Sequence, residues 1–160
     1  MDITEAQKQL ESVLAQHNAE AEILSQGDDA KIYKLSSKDT ELEIILNPKW
    51  IGYDLVIKKP VDGHKIGTSE DTDNYPLTGE YAEVARMVLT HVLECLKGLL
   101  MGRILIGHEG EQPILVIPTS EDTYLVKRFQ FRKKWWQLFD SSESKEVRKD
   151  QLPKGLVPLE

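Results

Sequence analysis

The residues best suited to chemistry in this 160-residue chain are gathered in one stretch, Lys127-Arg128-Phe129-Gln130-Phe131-Arg132-Lys133-Lys134-Trp135-Trp136. Five positive charges and no negative one stand there, in a chain whose net charge is −7, which leaves −12 for the rest. If the stretch begins as a β-strand, alternation sends Leu125, Phe129 and Phe131 to one face and Tyr124, Val126, Arg128 and Gln130 to the other. One face is then core-like and the other basic. Arg, Trp and Tyr dominate the energetics of protein–protein contacts, so Arg128, Arg132, Lys133, Lys134 and Trp136 form a candidate partner surface. The same cations could pair phosphates while Trp135 or Trp136 stacks on bases, which makes single-stranded nucleic acid the alternative ligand. The acidic remainder argues against that ligand, because affinity for a polyanion comes from phosphate neutralisation. The plainer reading is an ordinary strand whose long cations cover apolar neighbours, with both indoles in the core.

A second set of candidates is acidic. Asp28, Asp29, Glu109, Glu111, Glu121 and Asp122 fall in expected turns, and Asp62, Glu70, Asp71 and Asp73 lie in the long polar segment 59–79 with Tyr75. Long connections in compact domains are usually functional or disordered, and acidic loops steer the approach of a basic protein. Trp50, in the expected connection Asn47-Pro48-Lys49-Trp50-Ile51-Gly52, is either a lid on the core or an exposed anchor. A partner surface made of Trp50, Glu70, Asp71, Asp73 and Tyr75 is therefore expected on one side, or the basic set on the other.

Metal and nucleophile chemistry finds less support. Asp71-Thr72-Asp73-Asn74 has the start of a calcium loop, but no Gly and distant Glu follow at the required spacing. His91 and Cys95 stand four apart on an expected helix without a second matching pair, so a buried His beside a buried thiol is expected instead of a metal site. No Gly-rich phosphate loop or nucleophile elbow accompanies His17, His64 or His108. The expectation is a non-enzymatic protein with no cofactor and no metal.

The elements that would carry these residues follow from periodicity. Asp2-Ile3-Thr4-Glu5 has the form of a capping box, and Ala6, Leu10, Val13, Leu14 and His17 continue at helical spacing, which predicts a helix over 3–18. Strands are predicted at 20–25, 30–36, 40–46 and 53–58. In 40–46, Leu42, Ile44 and Leu46 share one face and Glu41 and Glu43 the other, the pattern of a half-exposed antiparallel strand. A second helix is predicted over 80–100, with strands at 103–107, 113–118, 123–131 and 135–140. The order, a helix and four strands twice over, predicts an α+β fold of antiparallel sheets with two helices packed on one face.

The two halves also align at an offset of 83 residues: Leu10 meets Leu93, Glu11 meets Glu94, Gly27 meets Gly110, Ser37 meets Ser120, and Asp39-Thr40-x-Leu42 meets Asp122-Thr123-x-Leu125. Leu55 also meets Leu138. A single domain over 1–160, built from pseudo-repeats 1–77 and 84–160, is expected. Within it the equivalent stretches 44–53 and 127–136 differ most in charge, one cation against five. Forty percent hydrophobic and 29% charged residues is globular composition, in which 59–79 and 140–160 read as flexible polar sequence. The start, Met1-Asp2-Ile3-Thr4-Glu5, lacks the basic and apolar runs of a signal peptide, and the one cysteine suits a reducing cytoplasm.

The helix and four-strand order resembles that of the Whirly and PUR-like single-strand binders, and the resemblance is one of element order alone. In size, acidity and architecture the chain is similar to bacterial immunity proteins that neutralise a cognate toxin by occlusion, and to acidic secretion chaperones. That resemblance implies binding to another protein, with acidic loops drawing in a basic partner and a few aromatic or Arg anchors supplying affinity.

Overall fold

A computed structural model describes residues 2–27, 29–75, 80–131 and 141–160. Asp2 caps helix α1 (Ile3–Gln16), its carboxylate accepting the Thr4 amide at 2.9 Å, and Ile3, Ala6, Leu10, Val13 and Leu14 form the helix's buried stripe. Strands β1 (Glu22–Gln26), β2 (Ala30–Ser36), β3 (Thr40–Asn47), β4 (Trp50–Ile57) and β5 (Gly67–Asp71) then form an antiparallel sheet in chain order. After a 3-10 turn (Thr72–Asn74), helix α2 (Tyr81–Leu100) leads into β6 (Leu105–Glu109), β7 (Gln112–Pro118), β8 (Thr123–Gln130) and β9 (Ser141–Arg148). The last strand, β10 (Val157–Pro158), returns to the far edge, giving the order β10-β6-β7-β8-β9. The fold is α+β, with two antiparallel five-stranded sheets. No helix among the described residues is long and apolar enough to cross a membrane.

Both halves feed one hydrophobic cluster: Leu10 of α1, Ile44 and Leu55 of the first sheet, Val92 and Leu96 of α2, and Leu115 of the second sheet are at most 1% exposed. Helix α2 packs on β4 and β5 of the first sheet and on β7 of the second. At Gly98 the helix comes so close to β7 that an added Cβ would lie 2.4 Å from Pro118 Cγ. The predicted alternation of β3 is observed, Leu42, Ile44 and Leu46 being buried and Glu41 exposed.

The identities between the halves have local causes. Moved by 83 positions, the ends of β1 and β3 fall on the ends of β6 and β8. Ser37 and Ser120 make the same turn, each with its Oγ 2.6 Å from the hydroxyl of the threonine three residues on, Thr40 or Thr123. The Asp39 carbonyl accepts from the Lys58 amide at 2.8 Å, and the Asp122 carbonyl from the Lys149 amide at 2.9 Å. Gly27 and Gly110 both sit at positive φ, +74° and +64°.

Two expectations shift. The strand beside β8 is β9 at Ser141–Arg148; the expected strand 135–140 lies outside the described residues, as does Leu138. By ladder position β9 is the counterpart of β4, because β8 and β9 are joined by residues 131–140 where β3 and β4 are joined by Pro48-Lys49 alone. Within the polar segments 59–79 and 140–160 the structure places β5, β9 and β10. Their ladders are backbone bonds, which do not require an apolar alternation.

Candidate functional site

Of the residues singled out from sequence, Glu70 and Tyr75 come together in a cleft of about 310 Å³ between β4, β5, α2 and the paired strands β8 and β9. One oxygen of Glu70, Oε1, accepts from the Tyr75 hydroxyl and faces His91 Nδ1 at 2.5 Å. The hydrogen bond to Glu70, reinforced by the charges of Glu70 and Glu146 against the cost of burial, raises the His91 pKa above the ordinary histidine value. Burial also raises the Tyr75 pKa, with Glu70 adding to the effect. Beneath them Cys95 is fully buried, and desolvation drives its thiol pKa far up, so it is held as a neutral thiol. From the second sheet, Lys127 donates to the Gly67 carbonyl at 3.3 Å and to the Thr68 hydroxyl at 3.4 Å, while burial lowers its pKa. These groups are spent on one another, and their common effect is to tie β5 of the first half to α2 and β8 of the second.

Histidine recurs along that junction. The His64 ring stacks on Phe131, with centroids 3.9 Å apart and planes 6° from parallel. His108 Nε2 lies 3.1 Å from Asp62 Oδ2. Together with the contact of His91 to Glu70, three histidines that are scattered in sequence meet partners from the other half. Among the described residues, no group of three His, Cys, Asp or Glu side chains is placed to hold a metal.

The other candidates separate. Asp71 caps the turn Thr72–Asn74, accepting from the Asp73 and Asn74 amides at 2.8 and 3.1 Å. Asp73 is exposed on that turn. Trp50 opens β4 opposite Asn47 and is half-buried, on the face of the first sheet away from the helices. Arg128 makes two bonds to Glu109, Nη2 to Oε2 at 2.9 Å and Nε to Oε1 at 3.3 Å. As expected from alternation, Phe129 faces the core and Tyr124 and Val126 the opposite side, where both are buried. Arg132, Lys133, Lys134 and Trp136 lie outside the described residues.

The face that carries Trp50 is the larger feature. Across the first sheet, pairing sets Glu22 beside Lys34, Lys34 beside Glu43, Glu43 beside Asp54 and Asp54 beside Ser69, a charged row on the side away from the helices. The next row along the strands is Leu24, Ile32, Ile45 and Gly52. A depression of about 570 Å³ lies over this face, lined by Glu20, Glu22, Glu41, Glu43 and Asp54 against Lys34, which pairs with Glu43 at 3.2 Å. Leu24 is 40% exposed.

The second sheet treats the same side differently. There Leu105, Val116 and Val126 take the ladder positions of Glu22, Lys34 and Glu43, and Leu152 and Leu156 from the segment after β9 pack over the apolar cluster. Among the described residues, one sheet closes its outer face with its own chain and the other leaves an acidic one exposed. Sequence reasoning recognised Glu41 and Glu43 as an exposed strand face without making them a site. The signal was there in the Glu-Leu-Glu alternation, but Glu22 and Asp54 join it only through strand pairing.

The chain matches no protein-family model, no curated protein and no solved structure.

Proposed function

We propose that this protein is a protein-binding module and that the outer face of its first sheet is the docking surface. The observation that carries the reading is the contrast between the two outer faces among the described residues: Leu152 and Leu156 pack over the second sheet's, while the first presents five carboxylates beside a partly exposed aliphatic row. An exposed face of mixed apolar and predominantly acidic character is what a partner of opposite charge recognises. Trp50 at the rim supplies an aromatic anchor of the kind that carries binding energy. The partner has a basic surface, and the protein acts by occluding it, the mode of the immunity-type proteins it resembles in size and acidity.

The test is capture from the native source with two baits, the wild-type chain and Glu41→Lys/Glu43→Lys/Asp54→Lys, with Lys145→Glu on exposed β9 as control. A protein held by the wild type and the control but lost from the triple variant supports the proposal. A protein held equally by all three, or turnover of a small molecule with no protein recovered, overturns it.

A further inference from the structure

Among the described residues, strand β1 ends the first sheet and pairs with β2 alone. Its counterpart β6 does not end the second. There β10 adds antiparallel along the outer edge, Val157 opposite Ile106 and Pro158 opposite Leu105, and the Leu159 amide donates to the Ile104 carbonyl at 2.8 Å. The fold thus already contains one extended segment completing this edge, in the half where the sequence supplies it. Moved back by 83 positions, the edge it occupies is Ala21, Glu22 and Ile23.

The β1 edge carries one charged side chain, Glu22, as protection against strand pairing. Glu22-Ile23-Leu24-Ser25-Gln26 has no Lys and no Pro, and its two aliphatic residues, Ile23 and Leu24, are 46% and 40% exposed. The side chains that an added strand would meet differ from those beneath the second sheet's cover. Where Leu152 and Leu156 lie over Val116 and Val126, the first sheet presents Lys34 and Glu43, with Glu20, Glu22 and Glu41 around them. A leucine-bearing segment would desolvate carboxylates such as Glu20 and Glu22 without supplying a cation to them, at a cost of several kcal/mol per uncompensated charge. A segment with Lys or Arg at alternate positions would pair them. A second copy of the chain would instead bring acidic faces together.

We infer that β1 is completed by an extended, Lys- or Arg-bearing segment of the partner protein, added antiparallel as a sixth strand in the place that β10 holds against β6. Its backbone pairs along Ala21–Gln26, and its cations lie beside Glu20 and Glu22, the carboxylates nearest that edge. This rests on the docking role of the same face and specifies how the partner engages it.

Three synthetic peptides of about eight residues separate the possibilities, a length that covers the edge: alternating Lys and Val, the same sequence N-methylated at alternate amides on the β1-facing edge, and alternating Glu and Val. Binding is read by titration, and amide hydrogen exchange is followed at residues 21–26. The expected result is binding of the Lys peptide, slowed exchange at those amides, roughly tenfold or greater loss on N-methylation, and no binding of the Glu peptide. If the Lys peptide binds with shifts at Glu41, Glu43 and Asp54 but exchange at 21–26 is unchanged, strand addition is overturned and the docking face stands. If no peptide binds while the intact partner still requires the three carboxylates, strand addition by a basic segment is again overturned. Concentration-dependent protection of 21–26 in the free protein assigns the edge to a second copy and overturns it likewise.

Discussion

Replacing Leu159 by Ala tests whether the chain beyond β10 is docked into the main core, as the pairing of β10 with β6 requires. Leu159 follows a two-residue strand and lies outside any long element, where substitutions ordinarily change stability by less than about 0.5 kcal/mol. Yet its side chain is only 6% exposed and belongs to the main hydrophobic cluster, and its amide is held by the Ile104 carbonyl. Truncation removes three carbons at about 0.8 kcal/mol each, about 2.4 kcal/mol of lost transfer energy. Incomplete closing of the cavity adds to this, for a total of about 2–4 kcal/mol. In a chain of this size that lowers Tm by about 5–12 °C. Urea denaturation of the variant is compared with Val157→Ala, whose side chain is 56% exposed and whose loss should stay within about 0.5 kcal/mol. If Leu159→Ala were no more destabilising than Val157→Ala, the chain after β9 would not be docked at Ile104, and the pairing of β10 with β6 would fail.

Other consequences are equally specific. Gly98→Ala should cost about 1–3 kcal/mol in denaturant titration, because its Cβ would meet Pro118 at 2.4 Å and α2 must shift from β7. Tyr33→Phe removes the 2.8 Å bond to Glu11 and should cost about 1.5 kcal/mol; that bond is also the main cause of the lowered Glu11 pKa, so the variant should lose less stability than wild type as pH falls through the carboxylate range. His91 has the opposite sign. Its pKa is raised by Glu70, so its contribution is fully present below the unfolded value of about 6.5 and is lost as pH rises through the folded value. Unfolding free energy measured from about pH 6 to 9 should therefore decline on the alkaline side, and His91→Gln should flatten that decline; an unchanged slope would show that the Glu70 contact does not link the halves.

The parts of this fold that could be read from sequence are those where burial imposes a period. Leu42, Ile44 and Leu46 against Glu41 and Glu43 mark β3, and the apolar surface of Val88, Val92, Cys95 and Leu96 marks α2. Strand β5, Gly67-Thr68-Ser69-Glu70-Asp71, has no such period, since Thr68 is its one buried residue, and it is held by the backbone of β4 at a place where Gly52 leaves room. Strand β9 buries little and is defined by its ladder to β8. The acidic character of the docking face was visible at Glu41 and Glu43. That β6 is paired on its outer side while β1, among the described residues, is not depends on the return of Val157 and Pro158 to the sheet edge, which no local pattern reports.

Hydrogen exchange of the protein with and without its bound partner reads the docking face residue by residue. Slowed exchange is expected on complex formation along β1 and across the Glu41–Val56 hairpin, with the amides of β7 and β8 unchanged. Protection gained over β7 to β9 or around the Glu70–His91 cleft, with none in the first sheet, would contradict it.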